Sequence, residues 1–248
     1  MFWPTPFTTL LVNEMDNRPF DFEADYGAHY DTFIRQVIPG YEGLHALAGA
    51  MLEPSCPANA RILVIGCGSG TEIICLGRLY PHWHFVGVDS SPAMIHQCSE
   101  RLHSLKMADR ATLVVGAVND IDANGAFDGA TCILVSHFMA EEKDKISLFS
   151  TINHRLKPDG RLIVADACNE NSSGFRAMMA CRWNFARAHG AARERYQRFQ
   201  EDCRTSLQSI SPEMEERLIR QAGFSCVRRF FTSLHINAWL ACHEEWAD

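Results

Sequence analysis

Residues 61–73 read RILVIGCGSGTEI, in which an apolar, β-branched run leads directly into a glycine-rich turn. Such a run is typical of a buried strand. The glycines Gly66, Gly68 and Gly70 allow a turn too tight for side chains, where the backbone can contact a ligand. A second apolar run ends at Asp89, 19 residues after Gly70, about the spacing at which α/β folds place an acid on ribose hydroxyls. Together these features predict a site for a nucleoside-containing cofactor.

Composition limits the class of protein. The chain has 248 residues, 47% of them hydrophobic, enough for one sizeable α/β domain with additions. No apolar stretch approaches the roughly 18 residues of a membrane span, and the start MFWPTPFTTLL lacks the basic region of a signal peptide. The ten cysteines are scattered without a CxxC pair, so we expect reduced thiols, no metal site and a cytoplasmic protein. The net charge of −7 argues against a broad nucleic-acid surface.

Strands and helices are predicted to alternate along the middle of the chain, after two helices over 25–38 and 41–52. Apolar periodicity and turn residues give strands 61–65, 84–88, 111–115, 130–135 and 161–165, with helices 71–80, 92–106 and 143–156 between them. The sequence Lys157-Pro158-Asp159-Gly160 is predicted to form a turn. This alternation is typical of a parallel sheet with helices on both faces.

The last third of the chain departs from simple alternation. An arginine-rich helical insertion is predicted over about 174–207, and a further helix begins at Ser211-Pro212 and ends before Gly223. The strand-like runs 225–231 and 235–242 can then pair as an antiparallel hairpin. We therefore predict an α/β fold: a Rossmann-like, seven-stranded, mostly parallel sheet with a terminal antiparallel hairpin. Residues 1–55 are expected to form an N-terminal helical lid, and residues 56–248 the main domain.

With these pieces the chain resembles the class I S-adenosylmethionine-dependent methyltransferases over residues 20–242. The resemblance rests on VIGCGSG, on Asp89 in the segment GVDSSPAMI (87–95), on LKPDG and on the terminal hairpin. It implies S-adenosyl-L-methionine as cofactor and S-adenosyl-L-homocysteine as product. Within this superfamily, IPGYEGLH, the segment 89–95 and the AGF step resemble the carboxy-S-adenosylmethionine synthase group, which serves tRNA wobble-uridine modification. A tyrosine in the PGY segment of that group contacts the cofactor, and Tyr41 occupies the matching place.

Two departures from that group affect the predicted activity. The group has an aspartate where this chain has Ala117, and it uses an arginine from a late helix, often of a neighbouring subunit, to hold an extra carboxylate on the cofactor. An ungapped comparison puts Gln200 at that place, with Arg198 and Arg204 nearby. We therefore expect methyl transfer to a nitrogen or oxygen of a small-molecule acceptor, by in-line displacement with positioning catalysis. Carboxy-S-adenosylmethionine synthase activity is the alternative.

The cofactor is expected to lie over the glycine turn and along the carboxyl ends of the strands. Asp89 would accept hydrogen bonds from the ribose hydroxyls, since a carboxylate accepts two donors at once; its alternative role is to cap the next helix. Met94 is as well suited to the core as to an adenine face. The expected cofactor contacts are Tyr41, Gly66, Cys67, Gly68, Asp89, Ser90, Met94, Ala117, Val118 and Ser136.

The acceptor pocket is predicted from residues near the same strand ends. His137 is the best candidate for a general base, because its free pKa lies near neutrality, although a lone histidine is often structural. The candidate acceptor contacts are Tyr26, Tyr30, Phe138 and Trp183. Core packing is the alternative for Tyr26 and Tyr30, and hydrophobic packing or a subunit contact is the alternative for Trp183.

The sequence also bears on two alternative functions and on the assembly state. A nicotinamide dehydrogenase is disfavoured because Thr71 stands where GxGxxG needs its last glycine, and a non-catalytic sensor of S-adenosyl compounds stays open. The arginine-rich helical segment favours a homodimer or higher homo-oligomer. The expected partner is a small molecule, with no direct nucleic acid and no membrane.

Overall fold

The computed structural model describes residues 25–121, 123–170 and 172–243, and a seven-stranded sheet runs through them. Its strands lie in the order β3-β2-β1-β4-β5-β7-β6. The first five strands are parallel, β7 is antiparallel to β5, and β6 is antiparallel to β7. The predicted mostly parallel sheet with a terminal antiparallel hairpin is confirmed. The strands are β1 (Arg61–Ile65), β2 (His84–Asp89), β3 (Ala111–Val115), β4 (Phe127–Ile133), β5 (Leu156–Ala167), β6 (Cys226–Ser233) and β7 (Ile236–Cys242).

Helices of ordinary length connect and cover these strands. They are α1 (Asp25–Val37), α2 (Tyr41–Leu52), α3 (Thr71–Leu79), α4 (Pro92–Ser104), α5 (Glu142–Arg155), α6 (Ser173–Ala180), α7 (Arg182–Ala188), α8 (Arg193–Ser206) and α9 (Pro212–Gln221). Among these described helices, none is both long and apolar enough to cross a lipid bilayer.

Successive side chains of a strand point to opposite faces of the sheet. Helices cover both faces, so the side chains on each face are buried. In β1, Ile62 and Val64 join a core shared with α1 to α4, α7 and α8, whereas Leu63 and Ile65 join a core shared with α5 and α9. Fully apolar strands of this kind need helices on each side, which the alternating sequence supplies.

The two N-terminal helices are part of the first core. Phe33 and Val37 of α1 and Leu44 and Leu52 of α2 are completely buried in it. The part of the N-terminal segment that contains these residues is therefore packed into the core, and its role as a lid stays a prediction. Residues 1–20 lie outside the described residues.

β4 begins and ends earlier than the predicted 130–135. It ends at Ile133 because Leu134 adopts a left-handed backbone conformation with φ of 60°, which an extended strand does not contain. Such a conformation is uncommon for a residue other than glycine. The turn at Leu134 redirects the chain at the carboxyl edge of the sheet.

The predicted turn 157–160 lies inside β5 as a bulge. Leu156 pairs with Phe127 and Arg161 pairs with Gly129, so four residues of β5 face a single residue of β4, Asp128. The Lys157 ammonium closes this bulge onto Asp128, with Nζ 2.6 Å from Oδ1. The strand prediction 161–165 therefore captured only the regular part of β5.

The predicted helical insertion over 174–207 consists of three helices. The helical structure is interrupted at Cys181, between α6 and α7, and the chain turns at Gly190, between α7 and α8. Ser211 caps α9 as predicted, since its side chain accepts a hydrogen bond from the Met214 amide.

A buried ionic cluster joins the end of β5 to α5 and α9. We call it the Lys145 cluster; it consists of Ser136, His137, Lys145, Asp166 and Glu215, all less than one-tenth exposed. Lys145 Nζ lies 2.7 Å from Glu215 Oε2 and 3.5 Å from Asp166 Oδ2, and Ser136 donates a hydrogen bond to Asp166. Desolvation by burial raises the pKa of Glu215 to about 7, so its ionised form depends on Lys145.

Replacing Lys145→Met is expected to lower the free energy of unfolding by about 3–5 kcal/mol, because two buried carboxylates lose their cation. Urea unfolding monitored by circular dichroism measures the effect. The control is Lys143→Met, whose side chain is 74% exposed and which should change the free energy of unfolding by less than about 0.5 kcal/mol. Equal effects of the two substitutions would contradict a stabilising role for the cluster.

Candidate functional site

A cleft of about 420 Å³ opens at the carboxyl ends of the central strands. It lies where the chain order reverses, with β2 and β3 on one side of β1 and β4 and β5 on the other. Open α/β sheets bind ligands in this crevice, because the two crossovers leave it uncovered. The residues after β1, β2, β3 and β4 all contribute to its lining.

The glycine loop forms one wall, and its glycines are required for two different reasons. A Cβ on Gly66 would lie 2.4 Å from Val135 Cγ2, so the loop passes too close to the segment after β4 for a side chain. Gly68 has φ of 52°, and a Cβ there would meet only the Gly66 carbonyl oxygen, at 3.9 Å. A side chain at Gly68 would therefore be strained and would occupy ligand space.

Asp89, the last residue of β2, holds this loop against the start of α4. Its Oδ2 accepts a hydrogen bond from the Gly68 amide at 2.8 Å, and its Oδ1 accepts one from the Ser91 amide at 2.9 Å. Ser91, not Asp89, caps α4, since its Oγ accepts from the Met94 amide at 3.1 Å. Asp89 also lines the cleft, and a carboxylate has about four acceptor sites.

The next wall is built from the loop after β3 and from one face of α5. Ala117 and Val118 line the cleft, and the Ala117 amide donates to Asp120 Oδ2 at 2.8 Å. The carboxylate of Asp120 is therefore used within its own turn. The lining residues of α5 are spaced as one helical face and comprise Asp144, Ser147, Leu148 and Thr151.

α1 closes the cleft from above and is fixed to the glycine loop by polar contacts. Asp31 accepts a hydrogen bond from the Thr71 hydroxyl, and lies 3.2 Å from Arg101 Nη2 and 2.7 Å from Arg35 Nη1. Arg101 also donates to the Ser69 carbonyl at 2.7 Å. The carboxylate of Asp31 thus links α1, the loop and α4, and two guanidinium groups neutralise it.

The end of the cleft between α2 and α3 contains deeply buried polar side chains. His45 is 1% exposed and Glu72 is 6% exposed. Burial raises the pKa of Glu72 to about 7, against a smaller opposing effect of the Thr131 hydroxyl, and lowers the pKa of His45 to about 4. Burial also raises the pKa values of Tyr30 and Tyr41. At neutral pH the imidazole is therefore uncharged and both phenols are protonated.

The charged residues that line the described part of the cleft are all acidic: Asp31, Glu72, Asp89 and Asp144. No lysine or arginine is among these lining residues, and the imidazole of His45 is neutral. A cleft of this charge stabilises a positively charged ligand and disfavours an anion. An adenosyl sulfonium compound fits this lining, with the glycine loop open to it and Asp89 placed to accept hydrogen bonds from a ribose.

Eleven of the predicted site residues line the cleft. They are Tyr30, Tyr41, Gly66, Cys67, Gly68, Asp89, Ser90, Met94, Ala117, Val118 and Phe138. Whether each contacts a ligand stays a prediction.

Ser136, His137 and Trp183 are not among the described lining residues. The turn at Leu134 leads into a 3₁₀ turn in which Phe138 faces the cleft, whereas Ser136 and His137 face the buried Lys145 cluster. His137 Nδ1 lies 3.1 Å from Asp166 Oδ1. This geometry favours a structural role for His137 over that of a general base.

Trp183 packs against the core, with its ring centroid 5.0 Å from that of Tyr196. This agrees with the packing role considered for it, at a distance from the cleft lining. Tyr26 lies in α1, but its side chain lies outside the described part of the structure.

Among the lining residues that were not predicted from sequence are the polar residues Asp31, His45 and Glu72. His45 follows Tyr41 by four residues on the same helix, so the helical repeat was the available signal. Glu72 follows the glycine loop by two residues, in the first turn of α3. Asp31 gave no signal, because its partners Thr71 and Arg101 are distant in sequence.

Comparisons with known proteins agree with this geometry. Residues 63–162 match the model of the methyltransferase domain family. The chain is 24% identical over 228 residues to the carboxy-S-adenosyl-L-methionine synthase of Shewanella sediminis, covering 90% of this chain and 88% of that protein.

Solved structures show the same fold at low identity. A S-adenosylmethionine-dependent methyltransferase from Aquifex aeolicus superposes with a TM-score of 0.60 at 13% identity, covering 88% of this chain and 96% of that one. The 1,6-didemethyltoxoflavin-N1-methyltransferase of Burkholderia thailandensis, with its substrate and S-adenosylhomocysteine bound, superposes with a TM-score of 0.59 at 18% identity, covering 89% and 84%. In its sheet topology and in residues 63–162 the chain therefore resembles the class I S-adenosylmethionine-dependent methyltransferases, and over nine-tenths of its length it is similar to the carboxy-S-adenosyl-L-methionine synthases.

Proposed function

We propose that the protein transfers the methyl group of S-adenosylmethionine to a nitrogen or oxygen of a small-molecule acceptor. The observation that carries this proposal is the charge of the cleft. The charged residues among its described lining are all acidic, with Asp31 neutralised by Arg35 and Arg101, and no lysine or arginine is part of that lining. Such a lining favours a donor with a sulfonium and an ammonium group. It does not favour a donor with an additional carboxylate.

The donor supplies an electrophilic methyl group on a positively charged sulfur. The protein holds it with the glycine loop, the amides at the start of α3 and the carboxylate of Asp89. Met94 and Val118 lie on the side where the adenine would bind, because they border the ends of β2 and β3. The chain's contribution to the rate is then alignment of the acceptor and exclusion of water.

The wall opposite the glycine loop is suited to the acceptor. Phe138 and Met139 line it after β4, while Tyr30 and Tyr41 line it from the N-terminal helices. α1 is tied to the loop through Asp31, so this wall is held at a fixed distance from the donor site. Small acceptors can be bound there between aromatic side chains.

A second candidate function is carboxy-S-adenosyl-L-methionine synthesis. The curated relatives carry that name and align with nine-tenths of this chain. The extra carboxylate of such a donor would need a cation. On α8, Gln200 and Arg198 are exposed, and Arg204 pairs with Glu201, so the cation would have to come from a second copy of the chain.

Mass spectrometry of the adenosyl ligand separates the two candidates. After incubation with S-adenosylmethionine and a library of small amines, phenols and carboxylic acids, we expect S-adenosylhomocysteine and a methylated acceptor. A bound adenosyl ligand with an additional carboxylate would support the second candidate instead. Protein that binds neither S-adenosylmethionine nor S-adenosylhomocysteine in calorimetry would contradict both.

Replacing Asp89→Ala is expected to weaken S-adenosylhomocysteine binding by about 10- to 150-fold, the equivalent of roughly 1.5–3 kcal/mol for lost hydrogen bonds to a charged group. The substitution also removes the acceptor of the Gly68 and Ser91 amides, so the loop loses its anchor. Calorimetry gives the dissociation constant. Asp159→Ala, in the exposed bulge of β5 at the opposite end of the sheet, is the control and should leave it unchanged. Equal affinity of the Asp89 variant and the wild type would remove this carboxylate from the donor site.

We also propose that the protein is a homo-oligomer with α6 in the contact between copies. None of the eight residues of α6 is buried within one chain, although Phe175, Met178 and Met179 are apolar. A short helix gains most of its stability from packing, and a second copy would supply it. Light scattering should show a dimer or larger species that Met178→Glu dissociates, whereas Arg176→Glu, on the same helix, should not. A monomeric wild type at high concentration would refute this assembly.

A further inference from the structure

We propose that Glu72 and His45 form the acceptor subsite of the cleft, and that this subsite selects an acceptor with an N–H group, whose proton passes to Glu72. The acceptor class is a primary or secondary amine or an N–H heterocycle. The inference rests on the proposed methyl transfer and names its substrate class.

Glu72 is a buried acid for which no ion pair is formed among the described residues. It lines the cleft and is 6% exposed, and its Oε1 is fully buried without a hydrogen-bond partner in the described structure. The Thr131 hydroxyl lies near this carboxylate and opposes part of the pKa rise, but no cation does so among the described residues. A buried carboxylate oxygen without a hydrogen-bond partner costs stability, and buried polar groups almost always have partners. A ligand that donates a hydrogen bond would supply the missing partner.

His45 presents a second unpaired group at the same end of the cleft. It is 1% exposed, and neither ring nitrogen has a hydrogen-bond partner among the described residues. Its ring stands edge-on to that of Tyr41, with centroids 4.6 Å apart, so packing fixes its orientation. A neutral imidazole has one ring nitrogen that accepts a hydrogen bond, so it can bind an N–H of the acceptor while the nitrogen lone pair stays available for the methyl carbon.

These two residues lie away from the place expected for the nucleoside. Glu72 and His45 belong to α3 and α2, on the face of the sheet to which Thr131 of β4 also points, whereas Asp89 and Val118 follow β2 and β3. Because β4 and β2 flank β1 on opposite sides, the cleft extends past the glycine loop in two directions. The donor's nucleoside and the acceptor can therefore occupy different ends.

The charge of the cleft selects nitrogen over anionic oxygen. A carboxylate or phenolate acceptor would enter a lining whose charged described residues are all acidic, whereas a neutral nitrogen compound, which keeps the lone pair needed for attack, would not be repelled. In the transfer, the nitrogen lone pair forms a bond to the methyl carbon, and the methyl–sulfur bond breaks with its electron pair staying on sulfur. The proton that the methylated nitrogen then releases passes to the Glu72 carboxylate. A base with a pKa of about 7 is well matched to this transfer near neutral pH.

The pH dependence of turnover reports on Glu72. Its titratable or polar neighbours are Tyr41 and His45 from α2, Asp31 from α1, Cys67 from the glycine loop, Cys75 from α3, and Thr131 and Cys132 from β4. Of these, only Glu72 has a pKa raised to about 7. We therefore expect kcat/KM for an N–H acceptor to rise as the pH increases through about 7.

Glu72→Gln is the test, with the exposed Glu53→Gln as a control of equal charge change. A library of matched amines, phenols and carboxylic acids is assayed with the wild type for S-adenosylhomocysteine formation, and N–H compounds should be the ones methylated. For the best of them, Glu72→Gln should lower kcat/KM by about 100- to 10,000-fold, the range for general-base catalysis, and flatten the pH profile. The affinity for S-adenosylhomocysteine should stay unchanged, and Glu53→Gln should behave as the wild type.

Folding of the variant is checked by its stability. In the wild type the folded-state pKa of Glu72 is raised from 4.5 to about 7, so the folded state holds the proton more tightly and loses stability as the pH rises from 4.5 through about 7. Glu72→Gln should remove that loss and raise the urea midpoint of the apo protein at alkaline pH. A variant that is folded and binds S-adenosylhomocysteine, yet keeps wild-type kcat/KM for amines, overturns the proposal.

The library also separates this inference from the proposed function. Methylation only of phenols or carboxylic acids would overturn the subsite and leave methyl transfer intact. If no compound yields S-adenosylhomocysteine, or if the bound adenosyl ligand carries an additional carboxylate, the proposed methyl transfer is contradicted. The acceptor subsite, which rests on it, is then contradicted as well.

Discussion

The two hydrogen bonds accepted by the Asp89 carboxylate hold the cleft in its shape. One comes from the amide of Gly68 in the loop after β1, and the other from Ser91 at the start of α4. The loop has no side chains that could anchor it at its glycines, because Gly66 passes against Val135 and Gly68 borders the cleft. The backbone amide of Gly68, bound to a fixed carboxylate, is therefore one of the anchors of the loop, beside the Gly66 and Cys67 amides that donate to the Val88 carbonyl.

This constraint reaches the N-terminal helices through the next polar contacts. Arg101 of α4 binds the Ser69 carbonyl and approaches Asp31 of α1, so α4, the loop and α1 form one polar layer over the apolar sheet. Phe33 and Val37 anchor α1 from below in the core. The acceptor wall is thus positioned by packing on one side and by charged hydrogen bonds on the other, which favours a rigid site over a mobile cover.

The regular helices and strands could be predicted because short-range sequence patterns specify them. β1, β3 and α2 have the predicted bounds, since their apolar periods and flanking turn residues are sufficient. The predicted end of β4 was wrong because Leu134 adopts a left-handed backbone conformation, which cannot be predicted from a sequence that favours a strand. The same turn decides that Phe138 lines the cleft while Ser136 and His137 face the Lys145 cluster. Their burial depends on Asp166 and Glu215, which are distant in sequence, so no local pattern could indicate it.

Two buried glutamates, Glu72 and Glu215, differ in whether a cation is paired with them. Burial raises the pKa values of both Glu72 and Glu215 to about 7. Glu215 is paired with Lys145 at 2.7 Å, and its partners account for its presence in the core. Glu72 has no such cation among the described residues. Perturbed buried acids occur preferentially at functional sites. The contrast between a glutamate with a cation and one without is the reason why we propose the acceptor subsite at the α2–α3 end of the cleft and assign a stabilising role to the Lys145 cluster.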